Sequence, residues 1–284
     1  MTTTSATPAD RVTKPSAPSA VGRIALELAT AAPFQTIRAV DLAPFAVRPS
    51  AVLAALARDG WLHRLARGAY CLVPGGAAPS TGARESRTTT TAEHDVRETA
   101  RGRPGPFPAE MLEAGVLDED PRPAAGARPV DPFSGDPVPW PPTVEAAAIA
   151  VASTIHGHGA AVLSGLSAAR LLGIWLPPLD VAFVTVPSPQ RALPLDDHPG
   201  GISFSQRPLE NLALETRPTD LGPALVTCPE QTMLDLEHAD PMHRDPRTWS
   251  VVRRLGVSCD RELLDHLART QRRRRTLDRI LGLR

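Results

Sequence analysis

The chain has 284 residues and a mass of 30.2 kDa, a length that accommodates roughly two domains. It contains no run of about 18 uncharged apolar residues, and its first residues, MTTTSATPADRVTKPSAPSA, lack an apolar leader segment, so a membrane span and a secretory signal are not expected. Basic and acidic residues balance at 31 each, but lysine occurs only at Lys14, so chemistries that need a lysine inside a folded element (Schiff bases, phosphate-cradling loops, metal-dependent nuclease sites) are set aside.

Charge is unevenly spread along the chain. Residues 20–75 carry six Arg and three acids; 76–143, seven Arg and eleven acids; 144–249, six Arg and twelve acids; 250–284, ten Arg and four acids. A basic head, an acidic middle and a basic end bear on partners rather than on fold. The three cysteines, Cys71, Cys228 and Cys259, form no CxxC pair. The expectation is buried thiols in a reducing cytoplasm, with neither a disulfide framework nor a zinc ribbon.

In chain order, residues 1–19 are polar and rich in Pro, Thr and Ser, and read as a disordered tail. Ser19 is placed to cap a helix through Ala32, with Val21, Ile24, Leu28 and Ala31 on one face, and Pro33 ends it. Thr36 is expected to cap a short helix, Ile37 to Leu42. A third helix runs from Pro49 to Asp59 and is closed by Gly60, with Val52, Leu53, Ala55 and Leu56 inward. Two strands around Trp61–Leu65 and Tyr70–Leu72 flank a turn at Ala66-Arg67-Gly68.

Three short helices and a basic hairpin make a winged helix-turn-helix pattern over 20–75, in which the third helix enters the major groove. Arg48, Ser50, Ala54 and Arg58 fall on its outward face, and Arg64 and Arg67 on the wing. Arginine makes bidentate contacts to guanine or pairs with phosphate. The small residues between them imply few base contacts and affinity that comes largely from phosphates. The same module can instead bind protein.

Residues 76–142 contain 12 Pro and 7 Gly and read as a flexible linker, with one short helix at 108–120. Apolar periodicity resumes over 143–284. A helix from Thr143, a strand Ala160–Leu163, a helix capped by Ser164 and stopped by Gly173, strands Asp180–Pro187 and Ile202–Gln206, and a helix from a Thr227…Glu230 capping box are expected, then helices near 246–255, 259–269 and 272–282. The fold class is therefore α+β: an N-terminal winged helix-turn-helix joined by a Pro/Gly-rich linker to a mixed α/β domain.

The stretches DLA…VRPSAVLAALARDGWLHRLARGAYCLVP, AVLSGLSAARLLGIWLPP, VAFVTVP and LVTCPEQTMLDL together resemble the AbiEi-type antitoxins of bacterial toxin–antitoxin systems, over roughly 20–75 and 143–240. The long linker departs from that family, as does Gly165 where a His follows Ser164. The resemblance implies a transcriptional autorepressor that binds inverted repeats in its own promoter as double-stranded DNA, with a second, antitoxin domain that neutralises a nucleotidyltransferase-like toxin. It places the DNA role on Arg48, Arg58, Arg64 and Arg67. Arg38 and Ser50 are added as further DNA contacts, and the run Arg272, Arg273, Arg274 and Arg275 as an auxiliary phosphate patch or a solvated helix face.

Catalytic constellations are thin. His156-Gly157-His158 reads as a helix-end pair, His238 and His243 flank Asp240 at another helix end, and Asp196-Asp197-His198 reads as a solvated turn. Ser164-Gly165 resembles the start of a nucleotidyltransferase motif, but the D-x-D of a following strand is missing, and no GxSxG, HExxH or GxxxxGK[ST] occurs. No enzyme, metal or cofactor is expected. The alternative function is a winged-helix regulator whose second domain senses a small ligand.

Overall fold

The computed structural model describes residues 17–73 and 141–282. The expected N-terminal tail up to residue 16, the Pro/Gly-rich linker up to residue 140 and the helix at 108–120 lie outside the described residues. The described chain is mixed α+β.

Helix α1 (Ala20–Ala31) begins where Ser19 Oγ accepts the Gly22 amide at 3.1 Å. After it, Phe34 and Gln35 both adopt positive φ, 56° and 51°. That costs of order 1 kcal/mol or more for each non-glycine residue. It is sustained because the turn drives the Phe34 ring into the core, where it meets His158 edge-on at 5.9 Å. The helix expected from Thr36 is corrected: Thr36–Arg38 form strand β1, and only Ala39–Leu42 coil as α2. β-Branched Thr36 and Ile37 gain a ladder partner in a later strand, and that pairing overrides the local helical pattern. Helix α3 (Pro49–Arg58) buries Leu53 and Leu56. Strands β2 (Leu62–Ala66) and β3 (Ala69–Leu72) are joined by Arg67-Gly68, with Gly68 at φ 82° supplying the left-handed turn residue. The sheet order is β1-β3-β2, antiparallel throughout.

The second segment is built on a six-stranded mixed sheet of order β6-β7-β5-β4-β9-β8. Its strands are β4 (Val162–Leu163), β5 (Val181–Val186), β6 (Leu193–Leu195), β7 (His198–Gln206), β8 (Leu214–Thr219) and β9 (Gly222–Thr227). Strands β6 and β8, both absent from the sequence pattern, are its two edges, and each carries a proline (Pro194, Pro218), which an edge accommodates readily. The close approach of neighbouring chain to β7 requires glycine. A Cβ on Gly200 would lie 2.2 Å from the Asp180 carbonyl oxygen, and one on Gly201 2.3 Å from that of Leu193.

Helix α4 (Val144–His156) packs on one face of this sheet. Helices α5 (Gly165–Leu171) and α6 (Pro229–Ala239) cover the other, backed by α7 (Pro246–Ser258), α8 (Arg261–Thr270) and α9 (Arg274–Gly282). Alternation along β7 separates the faces: Phe204 meets His156 of α4, whereas Ser203 and Ser205 share a cavity with α6. The expected Thr227…Glu230 capping box is replaced. Cys228 caps α6, its sulfur accepting the Gln231 amide at 3.5 Å, while Thr227 Oγ1 bonds Thr232 Oγ1 at 2.7 Å.

The sequence pattern predicts a single apolar stripe on α4, yet every residue from Val144 to Ser153 is buried. The sheet covers one side and the N-terminal segment the other, so Phe34, Leu65, Ala66, Ala69 and Cys71 join the same core as α4. The two apolar segments of the chain thus share one interior. Ala146, Ala148, Ala150 and Ala152, each at most 0% exposed, let both neighbours approach the helix axis. Ala148→Leu is expected to cost about 1–3 kcal/mol through overpacking; an unchanged melting temperature would show slack on both sides of the helix.

Glu145, in the first turn of α4, is 1% exposed, with Arg170 Nε 3.1 Å from its Oε1 and bent off a hydrogen-bonding line. Burial pushes its carboxyl above the ordinary value, and the Arg170 charge opposes that only in part. A group whose folded value is raised gives its full stabilisation below its ordinary value and loses it as pH rises through the folded one. Glu145→Gln should therefore gain in melting temperature relative to the parent as pH rises above about 4, the ordinary glutamate value. A pH-independent difference would mean the carboxylate is as well solvated as in the unfolded chain.

Candidate nucleic-acid interface

Arginine reaches phosphate or a base edge only if its guanidinium is exposed and not already bound to a carboxylate. The structure sorts the sequence-predicted residues by that criterion. Ser50, Ala54 and Arg58 are exposed on one stripe of α3 at i, i+4, i+8 spacing, and Arg48 is exposed at its N-terminal boundary. Arg67 is exposed at the tip of the β2–β3 turn. Among the described residues Arg48, Arg58 and Arg67 make no ion pair.

Arg38 and Arg64, of the N-terminal members of the set, are engaged elsewhere. Arg38 begins α2 and binds Asp41 twice, its backbone amide donating to Oδ2 at 2.8 Å and its Nη2 to Oδ1 at 3.3 Å. Arg64 is not free on the hairpin: its Nε lies 2.7 Å from Asp196 Oδ2. The Asp196-Asp197-His198 turn, expected to be solvated, docks on the hairpin instead. The Asp196 amide donates to the Leu65 carbonyl at 2.9 Å, Asp197 pairs with His63, and His198 Nε2 bonds the Pro142 carbonyl at 3.0 Å. This turn covers the outer edge of β2, which would otherwise present unpaired backbone groups. A concavity of about 450 Å³ separates the turn from the C-terminal end of α3, with Arg58 and Arg64 on its walls.

The C-terminal arginine run also divides. Arg272, Arg274 and Arg275 are exposed, Arg274 facing Asp278 at 3.8 Å. Arg273 turns inward at the start of α9 and binds Asp235 Oδ1 at 2.6 Å, which removes it from any phosphate-binding surface patch. Helices α8 and α9 pack against α6, and α3 lies on the α4 side of the sheet, so the run and the head arginines occupy opposite sides of that sheet.

Arg273 opens onto a cavity of about 470 Å³ between β5, β7, α6 and the loop that follows α6, a site the sequence reading did not find. Its floor is set by the parallel register Phe183↔Ser203 and Thr185↔Ser205. Asp235 accepts from both Arg207 and Arg273. The i, i+2 pair Ser203 and Ser205 on β7, continued by Arg207 just past its end, is the signal in sequence, visible once that strand's inward face is known.

His156, His243 and Cys228 have ordinary structural partners. His156 bonds Ser188 Oγ at 3.1 Å, and burial holds its imidazole below the usual value. His243 binds fully buried Glu237 at 2.8 Å, an oxygen pair that also receives Arg279, and stacks on Trp249 at 4.3 Å. Asp240 accepts the Arg244 and Asp245 amides, and those bonds hold its carboxyl below the ordinary range. Burial pushes the Cys71 thiol up to about 12 and the Cys228 thiol to about 11, so both are protonated at neutral pH. Among the described residues no group of three His, Cys, Asp or Glu side chains is placed to hold a metal ion, and no helix is long and apolar enough to cross a membrane.

No protein-family model matches the chain, and no curated protein matches it. Among solved structures, the RV2827C protein from Mycobacterium tuberculosis is similar over 92% of this chain and 76% of its own, at 18% identity and a TM-score of 0.44.

The turn–hairpin contact is mostly exposed and should be weak. Replacing Asp196 and Asp197 together with Asn is expected to lower global stability by about 1 kcal/mol or less, while speeding hydrogen exchange at the Asp196 amide. Unchanged exchange at that amide would show that the backbone bond, not the ion pairs, holds the turn.

Proposed function

We propose that the protein is a DNA-binding antitoxin that represses its own operon, with the N-terminal segment acting as a winged helix-turn-helix and the remainder as the toxin-neutralising domain. One observation carries the DNA reading: Arg48, Arg58 and Arg67 are exposed and without carboxylate partners among the described residues, on α3 and on the hairpin beside it. In this module α3 enters the major groove and the β2–β3 hairpin lies along the backbone. Ser50 adds a hydroxyl to the same stripe. Small residues between the arginines, Ala51 and Ala54, allow close approach but read no bases, so phosphate contacts dominate and inverted half-sites raise specificity by pairing two heads. The toxin-facing role rests on the resemblance in sequence alone.

A second reading, a winged-helix regulator whose second domain senses a small ligand, is favoured by the cavity between β7 and α6. A nucleotidyltransferase gene directly downstream of this one separates the two readings, and its toxicity in co-expression, relieved by the full chain, supports the first.

Titration of a duplex spanning the promoter of the protein's own operon tests the DNA role. Three phosphate contacts give a slope of log K against log salt of about −3, and each of Arg48→Ala, Arg58→Ala and Arg67→Ala should reduce its magnitude by about 0.9. A slope near zero, or three variants that bind like the parent, would remove DNA from the proposal.

A further inference from the structure

Of the three carboxylates that line the cavity beside Arg273, only Asp235 lies within ion-pair distance of its two withdrawn arginines. Arg207 Nη1 and Arg273 Nη1 both donate to one oxygen of Asp235, so two guanidiniums share a single carboxylate. All three side chains are largely withdrawn from water, at 20%, 14% and 13% exposure. Gln271 Oε1 accepts the second Arg207 nitrogen at 2.8 Å, but it is neutral. The other carboxylates on the wall are occupied. Asp240 is consumed by two backbone amides, and Asp245 by the Arg247 amide and guanidinium. Arg244 adds a further exposed cation at the mouth, with no ion pair among the described residues.

A cation out of water without a matching anion is costly, and a ligand that supplies the missing charge recovers that cost on binding. Burial, and then the Arg207 charge, pull Arg273 below the ordinary guanidinium value, which is the mark of an unmet charge. His238, which also lines the cavity, is held below its usual value by burial and then by Arg273, so it is neutral near pH 7 and adds no competing cation. Leu166, Phe183 and Leu236 supply an apolar part of the wall, and the volume of about 470 Å³ falls in the range of small-molecule sites.

We propose that this cavity binds a small organic anion, its carboxylate or phosphate-ester head on Arg207 and Arg273 and its apolar body against Phe183 and Leu236. Arg244 closes over the head from the loop after α6. Ser203 lines the floor and supplies a hydroxyl that can donate to the head, whereas the Ser205 hydroxyl is bound to Thr185 Oγ1 at 2.7 Å. The site lies on the opposite face of the sheet from α4 and the head, so it stands or falls independently of DNA binding.

Calorimetric titration of the full chain tests this with four probes: phenyl phosphate and benzoate, inorganic phosphate as the head alone, and benzyl alcohol as the body alone. At least one of the two aromatic anions is expected to bind saturably, and more tightly than either partial probe; which one does tells phosphate ester from carboxylate. Arg244→Ala, an exposed change that leaves the Asp235 network intact, should weaken that binding about tenfold, the worth of one charge-assisted hydrogen bond. Ser203→Phe, which fills the cavity, should abolish it, and Arg191→Ala, on an exposed arginine elsewhere, should leave it unchanged. The proposal is overturned if neither aromatic anion saturates, or if binding survives both Arg244→Ala and Ser203→Phe undiminished. Displacement of the bound anion by promoter duplex would also overturn it, because the arginines would then belong to a nucleic-acid surface.

Discussion

The all-round burial of α4 is the constraint on which the architecture depends. A helix that is apolar on every side must be covered on every side. Here the six-stranded sheet covers one flank and the N-terminal segment the other. Alanine at four alternate positions keeps the helix thin enough for both to reach it. The strained turn at Phe34, the β2–β3 hairpin and the edge strand β6 are then arranged around that sandwich, and the Asp196-Asp197 turn seals its rim against the hairpin. Whatever lies in the long stretch between the two apolar segments, the orientation of α3 relative to the sheet is set by this shared interior rather than by the connection.

Arginine is nearly the only cation in the chain, and its role at each position is decided by the nearest carboxylate. Arg38, Arg64, Arg170, Arg207, Arg217, Arg247, Arg269, Arg273 and Arg279 are spoken for by acids at short range. Exposed pairs of this kind add little stability, while those at Glu145 and Glu237 are buried and matter because an unpaired partner left inside would be expensive. The arginines that remain define the surfaces open to a partner. On the head they cluster on α3 and the hairpin. In the second segment Arg207 and Arg273 are only half compensated, which turns a structural ion pair into a receptive site.

The docked acidic turn gives the DNA reading a physical qualification. Asp196 and Asp197 sit beside the hairpin that would meet the backbone, and their negative charge opposes a phosphate at Arg64. Contact through Arg48, Arg58 and Arg67 does not require that turn to move. An interface built on those three is smaller and less basic than the six arginines of the head would supply, and it leans on pairing of two heads for affinity.

Helices and their ends were largely legible from sequence because their signals are local: Ser19 as a cap, Pro49 in a first turn, Gly60 and Gly173 as stops, and apolar spacing over α3, α8 and α9. The hairpin was legible for the same reason, since Arg67-Gly68 between two β-rich runs needs no distant partner. Strand β1 was misread as helix because its partner β3 lies more than thirty residues away, and β6 and β8 were missed because proline is permitted at a sheet edge that only the sheet order reveals. The same limit governed function. Composition and spacing placed exposed arginines on the third helix and the hairpin, because solvent-facing positions follow from helical and hairpin periodicity. Which of them are already bound, that Arg273 parts from its three neighbours to face inward, and that Asp235 must serve two guanidiniums were decided only by tertiary structure, since ion pairing depends on which distant segments folding brings within a few ångströms.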